Sequence, residues 1–263
     1  MRLRVAGFAT ACTVLALAAG GARAGSTRLT VGQIIARNVA ARGGLAAWRR
    51  VRTLTWIGHI DSAHAPMPSM QFTMDQARPN KTRFAIDTIG EHTVRVFDGS
   101  QGWKLRPAPN GRPMLEPFDT EELRFSQDAP GLDGPLIDYK AKGGVAALEG
   151  VDRIYGNKAY RIDVVFASGE NDHVWVDARS FLDLRYDRSS LDAHGKPVTV
   201  SMYYHDYKAI DGLQMPTVIE TGVGSGKQPD RIVIERVLVN PHLDARTFAM
   251  PGAQFADARA AGR

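Results

Sequence analysis

Residue types that carry covalent chemistry are scarce or badly spaced in this chain. Its 263 residues include one cysteine, Cys12, in an N-terminal stretch that reads as removable. A lone thiol excludes an intrachain disulfide, and its removal excludes cysteine-ligated zinc and a thiol nucleophile from the mature chain. The seven histidines show neither His-Glu-x-x-His nor His-x-His spacing, so no metal site is expected. His205, within Tyr203-Tyr204-His205-Asp206-Tyr207, reads as a strand-surface histidine, and Asp172-His173 as a pair near a turn. Neither Gly-x-Ser-x-Gly nor Ser-x-x-Lys occurs, and no Asp-Thr-Gly or Asp-Ser-Gly is present. Gly222-Val223-Gly224-Ser225-Gly226-Lys227 lacks the spacing and the following Ser or Thr of a phosphate loop and reads as a hairpin loop. Glu121-Glu122 reads as solvated helix charge rather than an acid–base pair. The chain is expected to be no enzyme and to need no cofactor.

Long apolar runs are also lacking, apart from residues 5–19. That run follows Arg2 and Arg4 and precedes Ala22-Arg23-Ala24, a small-x-small cleavage site. It is shorter than the roughly 20 residues a spanning helix needs. Residues 1–24 therefore read as an export signal cleaved after Ala24. Ala9-Thr10-Ala11-Cys12 faintly resembles a lipoprotein box, but the apolar core continues past Cys12, which reads as packing within the signal. An exported chain without cysteine suits a bacterial periplasm, where no oxidative folding is then required.

Charge of one sign is not in excess. Three arginines and no acid lie in residues 1–24, so cleavage lowers the formal net charge from +5 to 5 − 3 = +2. Basic residues alternate with acids throughout, which excludes a nucleic-acid footprint.

What the chain does contain is alternation. Thr30-Val31-Gly32-Gln33 has the form of a capping box, and Val31, Ile34, Ile35, Val39 and Ala46 recur at helical spacing. Gly43-Gly44 ends or kinks that helix, and residues 45–50 add a short turn anchored by Trp48. From residue 53 to 239 the chain then reads as eleven or twelve short strands separated by Gly, Asp and Asn turns. Leu54, Trp56 and Ile60 share a face of the first, Met70, Phe72 and Met74 of the second, and Phe84 and Ile86 of the third. Val94-Arg95-Val96-Phe97, Asp98-Gly99-Ser100-Gln101-Gly102 and Trp103-Lys104-Leu105 form a hairpin signal. Residues 107–117, with four prolines, read as a surface loop. Residues 118–142 lack alternation and read as one or two short helices broken at Pro130-Gly131, and the tail 252–263 as frayed.

The fold class that follows is mainly β (α+β), a single domain over residues 25–263 built on a large antiparallel meander. So wide a sheet curls under its own twist. One helix and a broken middle segment cannot fill its concave side, which leaves a partly enclosed apolar cavity. Leu54, Trp56, Ile60, Met70, Phe72, Met74, Phe84, Ile86, Val96 and Trp103 are the candidates for its wall. Each alone reads as core packing; as a group with pliable thioethers on an under-covered sheet, they point to a ligand site.

Several segments resemble those of LolA-like outer-membrane lipoprotein-sorting proteins. They are Ala41-Arg42-Gly43-Gly44 with Val51-Arg52-Thr53-Leu54, and Phe97-Asp98-Gly99-Ser100-Gln101-Gly102-Trp103. Val174-Trp175-Val176-Asp177-Ala178-Arg179-Ser180-Phe181-Leu182, then Tyr207-Lys208-Ala209-Ile210-Asp211-Gly212-Leu213-Gln214-Met215-Pro216, and residues 241–251 complete the order. The resemblance implies an unclosed β-barrel with a helical lid, whose apolar interior binds lipoprotein acyl chains or other lipids without covalent chemistry. It implies a monomeric periplasmic carrier or chaperone, with an inner-membrane exporter and an outer-membrane acceptor as partners. The family's lid-locking arginine is matched by Arg83 or Arg95. The chain departs from the family in its extra length across residues 107–150 and in having no cysteine placed for anchoring. An envelope sensor of lipids or lipoproteins without a transport role, or an enzyme on the same scaffold, are the alternative readings.

Overall fold

The structure is a computed structural model that describes residues 28–250, except 66, 109, 128, 130, 167, 168, 170, 192–195 and 224–227. Residues 1–24 with Cys12, the tail 252–263, the whole Asp192–Gly195 turn and most of the Gly222–Lys227 loop fall outside the described residues.

Helix α1 (Val31–Ala41) begins where the sequence places it. The Thr30 hydroxyl accepts from the Gln33 amide at 3.3 Å, and the Thr30 amide donates to Gln33 Oε1 at 2.9 Å, which satisfies two of the otherwise orphaned donors of the first turn. The helix stops at Gly43, whose φ of +108° suits a residue without Cβ; a Cβ there would lie 2.5 Å from the Gly212 carbonyl oxygen. Two of the segments that carry the family resemblance thus meet in space, and the Gln214 amide donates to the Arg42 carbonyl at 3.2 Å. Helix α2 (Leu45–Arg50) follows at once and buries Trp48.

Six strands come next: β1 (Thr53–Asp61), β2 (Ser69–Ala77), β3 (Lys81–Thr88), β4 (Glu91–Phe97), β5 (Gly102–Pro107) and β6 (Pro113–Pro117). After α3 (Thr120–Gln127) come β7 (Val145–Ile154), β8 (Asn157–Val165), β9 (Asn171–Asp177), β10 (Asp183–Leu191), β11 (Pro197–Ile210), β12 (Leu213–Val223) and β13 (Asp230–Val239), then a 3-10 turn, Ala245–Phe248. All 13 strands form one antiparallel sheet in the order β6-β5-β4-β3-β2-β1-β13-β12-β11-β10-β9-β8-β7. Two meanders are therefore zipped together by the first and last strands, Leu54 opposite Val239 and Ile60 opposite Ile232. Strands β6 and β7 remain at the two edges, so the barrel is not closed.

One of the expectations is corrected here. Residues 113–117 are a strand, not loop: an edge strand tolerates Pro113 and Pro117 because it needs partners on one side only. Of the one or two short helices expected in the middle segment, the described residues hold one, α3; residues 131–144 follow as a series of turns with Leu132, Leu136 and Ile137 buried.

Register decides which side chains share a face. Trp56 stands opposite Met74 and Ile60 opposite Met70; Met74 in turn faces Phe84, and Phe72 faces Ile86. With Trp48, Leu132, Ile137, Leu213, Met215 and Ile234 these residues make one core cluster on the concave side. A second concave cluster joins Ile34 and Ile35 of α1 and Leu136 to Ile162, Val164, Val174, Val176 and Tyr186. Val39 packs against both clusters, so α1 spans the seam between the two meanders.

Candidate ligand-binding site

The helical cover is held to the concave face by buried charge. Arg42, at the end of α1, donates from Nη1 to the Asp133 carbonyl at 3.0 Å and lies 3.3 Å from the Asp183 carboxylate. Its guanidinium sits 4.8 Å from the centre of the Trp48 ring, and Trp48 Nε1 donates back to the Arg42 carbonyl. Asn38 Nδ2 donates to Asp183 Oδ1 at 2.8 Å and to the Phe181 carbonyl. Burial pushes the Asp183 carboxyl above the usual carboxylate range, against the opposing pull of Arg42 and Asn38. Asp133, 1% exposed, accepts from Arg78 Nη2 at 2.6 Å and pairs with Lys142. Burial lowers Lys142, with Asp133 opposing that shift. These contacts bind residues 131–144 to the start of β1 and to the β2–β3 turn, because Arg78 also donates to the Val51 and Trp48 carbonyls.

Beside this clamped region lies a cavity of about 650 Å³. Strands β3 to β5 supply Thr82, Phe84, Arg95, Phe97 and Lys104; β10 supplies Arg188 and Ser190 from across the curl of the sheet. The third wall is Phe118, Asp119, Glu122, Phe125, Ser126 and Ala129, on and around α3. Helix α3 is positioned locally and from afar. Asp119 and Glu122 exchange hydrogen bonds, the Glu122 amide to Asp119 Oδ1 at 2.8 Å and the Asp119 amide to Glu122 Oε2 at 3.1 Å. The same Glu122 carboxylate receives Arg95 at 3.0 Å and Lys104 at 2.8 Å. Burial alone would raise Glu122, but the Lys104 and Asp119 hydrogen bonds and the Arg95 charge hold it below its ordinary value. Arg95 also lies over the Phe118 ring, 4.5 Å from its centre, and the Phe118 amide donates to the Gly102 carbonyl at 2.8 Å.

The cavity therefore sets four phenylalanine side chains, Phe84, Phe97, Phe118 and Phe125, beside charged groups of both signs. Among the described residues no group of three or more His, Cys, Asp or Glu is arranged to hold a metal ion, and no helix is long and apolar enough to cross a membrane.

No protein-family model matches the chain, and no curated protein sequence matches it. Solved structures do. A LolA superfamily protein from Nitrosomonas europaea superposes with a TM-score of 0.54 at 11% identity, over 84% of this chain and 98% of that one. The chain has a LolA-like fold. An outer membrane lipoprotein-sorting protein domain from Vibrio parahaemolyticus gives a TM-score of 0.50 at 10% identity, covering 82% and 94%. A DUF1329 family protein from Desulfovibrio piger gives 0.53 at 13%, covering 84% and 98%.

Within this LolA-like sheet, eight of the ten sequence-predicted wall residues fall on the concave face: Leu54, Trp56, Ile60, Met70, Phe72, Met74, Phe84 and Ile86. Leu54, Trp56, Ile60 and Phe72 are buried, while Met70, Met74, Phe84 and Ile86 are half-buried. Phe72 and Phe84 are in contact, ring centres 5.8 Å apart. Of the eight, Phe84 also lines the cavity.

Val96 and Trp103 are on the other side of the sheet. Arg95 opposes Phe84, so Arg95 shares the concave face and Val96 must alternate away from it. Val96 is paired with Trp103, and both join Ala85, Val94 and Leu105 against Phe248 of the C-terminal 3-10 turn. They form a small convex core and line no part of the concave face.

Of the two arginines offered for the lid, Arg83 opposes Val96 and lies 3.5 Å from Asp75, whereas Arg95 reaches α3. The arginine that, with Asn38, ties α1 to the sheet is a third, Arg42. Its place in the Ala41-Arg42-Gly43-Gly44 segment was visible, but its partners, Asp133 and Asp183, are about 90 and 140 residues away in sequence. Arg188 and Glu122 were equally hidden, since a charge on a strand or helix reads as solvated until register is known.

Proposed function

We propose that this protein binds lipid acyl chains reversibly on the concave face of its sheet and carries them, free or attached to lipoproteins, through the periplasm. The observation that supports this reading is the half-buried apolar patch of Met70, Met74, Phe84 and Ile86, continuous with the buried core and beside a cavity of about 650 Å³. That volume lies in the range of roughly 300–1,000 Å³ usual for small-molecule sites. The related structure whose name is an outer membrane lipoprotein-sorting domain supports the same reading. Acyl-chain burial requires no covalent step, so none is proposed. A membrane exporter would load the carrier and an outer-membrane acceptor would unload it.

The test is a titration with fluorescent fatty acids of graded length. Each methylene buried contributes about 0.8 kcal/mol, so affinity should rise several-fold per added carbon until the site is full. Affinity independent of length would contradict the proposal. Export is part of it: N-terminal sequencing of protein from the periplasm should begin at Gly25, and an acylated Cys12 as first residue would contradict it.

A further inference from the structure

We infer that the cavity between β3–β5, α3 and β10 selects acyl ligands with an anionic headgroup, carboxylate or phosphate, and that Arg188 is the group that reads it. The inference rests on the acyl-chain reading above and adds a chemical class to it.

Three cations line this cavity, Arg95, Lys104 and Arg188, against two acids, Asp119 and Glu122. The first two cations already have a partner, since both grip the Glu122 carboxylate. Asp119 accepts from the Glu122 amide. Arg188 stands apart. Among the described residues it makes no ion pair, and its Nε is buried with no hydrogen-bond partner. The acid on the concave side of the adjacent strand β9, Asp172, is engaged by the Tyr186 hydroxyl at 2.5 Å. A guanidinium with an orphaned, buried N–H is costly in a folded protein unless something completes it.

An anion would complete it. The guanidinium fork matches the paired oxygens of a carboxylate or phosphate, and such charge-assisted hydrogen bonds are about twice as strong as neutral ones. Ser190 brings a hydroxyl to the same wall. The rest of the lining suits what is attached to the headgroup: Phe84, Phe97, Phe118 and Phe125 present apolar surface, and Phe84 leads directly to the Met74–Phe72–Ile86 patch. A polar end at Arg188 and a tail along the β3 and β2 faces is therefore the orientation the residues allow. A cationic amphiphile would meet the unpaired positive charge instead.

The experiment compares palmitate, methyl palmitate and hexadecylamine, displacing one fluorescent acyl probe from the full mature chain and from Arg188→Gln. Palmitate should bind the native chain at least about tenfold more tightly than its ester, the return for one charge-assisted pair of hydrogen bonds, and the amine should bind more weakly than the ester. Arg188→Gln should erase the preference for palmitate over its ester, and a circular dichroism spectrum and melting transition like those of the native chain show that the variant folds. Should the variant fail to fold, the comparison in the native chain still decides. Equal affinity for acid and ester would overturn the headgroup inference and leave acyl-chain binding intact. Failure of all three to bind would overturn acyl-chain binding and the inference with it. Displacement of palmitate by inorganic phosphate at similar concentration would overturn the lipid assignment in favour of a site for free anions.

Discussion

The Arg42 guanidinium lies 3.3 Å from the Asp183 carboxylate, with both side chains less than a tenth exposed, and this pair joins the end of α1 to the first residue of β10. The helical cover of the concave face is thus secured at a point where one charge without the other is expensive.

Arg42→Met should destabilise the protein by about 3–5 kcal/mol, because Asp183 would remain buried without its counter-charge. Urea unfolding measures this, and the double variant Arg42→Met/Asp183→Asn should lose less than the single one. The pH dependence has a definite sign. Burial raises the folded-state pKa of Asp183 above its ordinary 3.8, so the ionised carboxylate is penalised in the folded chain. The deficit of Arg42→Met is therefore absent below the unfolded pKa and grows as pH rises through the carboxylate range. A deficit equal at acid and neutral pH would show that the lost packing of Arg42 on Trp48 matters more than its charge.

Glu122 behaves oppositely. Its pKa is held below the ordinary 4.5 by Lys104, Asp119 and Arg95, so its contribution is present above that value and is lost as pH falls through the depressed folded-state pKa. Acid should therefore loosen α3 before it unfolds the sheet, and Glu122→Gln should loosen it at neutral pH. Hydrogen exchange at the α3 amides is the measurement, with faster exchange than in β1 amides as the expected outcome.

Gly102 is where the wall of the cavity meets the sheet. A Cβ at this position would lie 2.0 Å from the Phe118 ring, which must then move from its place beneath Arg95. Gly102→Ala should cost about 1–3 kcal/mol and lower ligand affinity. Gly150→Ala, in β7 with nothing within 4 Å of the added carbon, should stay within about 0.5 kcal/mol. Calorimetric melting of the two variants side by side checks the contrast.

Much of this organisation is legible in the sequence. The Thr30–Gln33 box, the alternation of Leu54 with Trp56, and that of Met70 with Phe72 and Met74 announce α1 and the concave face, because each is decided by neighbours in the chain. What is not legible is decided by distant residues. In Val94-Arg95-Val96-Phe97 apolar side chains occur in both phases of the strand, so periodicity cannot choose a face for Val96. The choice is made by Phe248, some 150 residues later, which covers the convex side. Prolines at both ends hid β6, whose pairing with β5 needs only one edge. The charged lining of the cavity was hidden too, since Arg95, Lys104 and Arg188 acquire meaning only when α3 and β10 are brought opposite β4 and β5.

The convex core gives a control for any binding experiment. Phe248→Ala should cost about 3–5 kcal/mol by removing the cover of Val94 and Val96, yet leave acyl-chain affinity unchanged. Loss of binding in a variant that remains folded would mean that the two faces are coupled.

The central claim, that the ligand occupies the concave face, is tested most directly by photo-crosslinking. A palmitate bearing a diazirine near its terminal carbon, irradiated on the protein and located by peptide mass spectrometry, should label peptides carrying Met70, Met74, Phe84 or Ile86. Labelling concentrated on Val94, Val96, Trp103 or Leu105, or the same yield with excess unlabelled palmitate present, would contradict it.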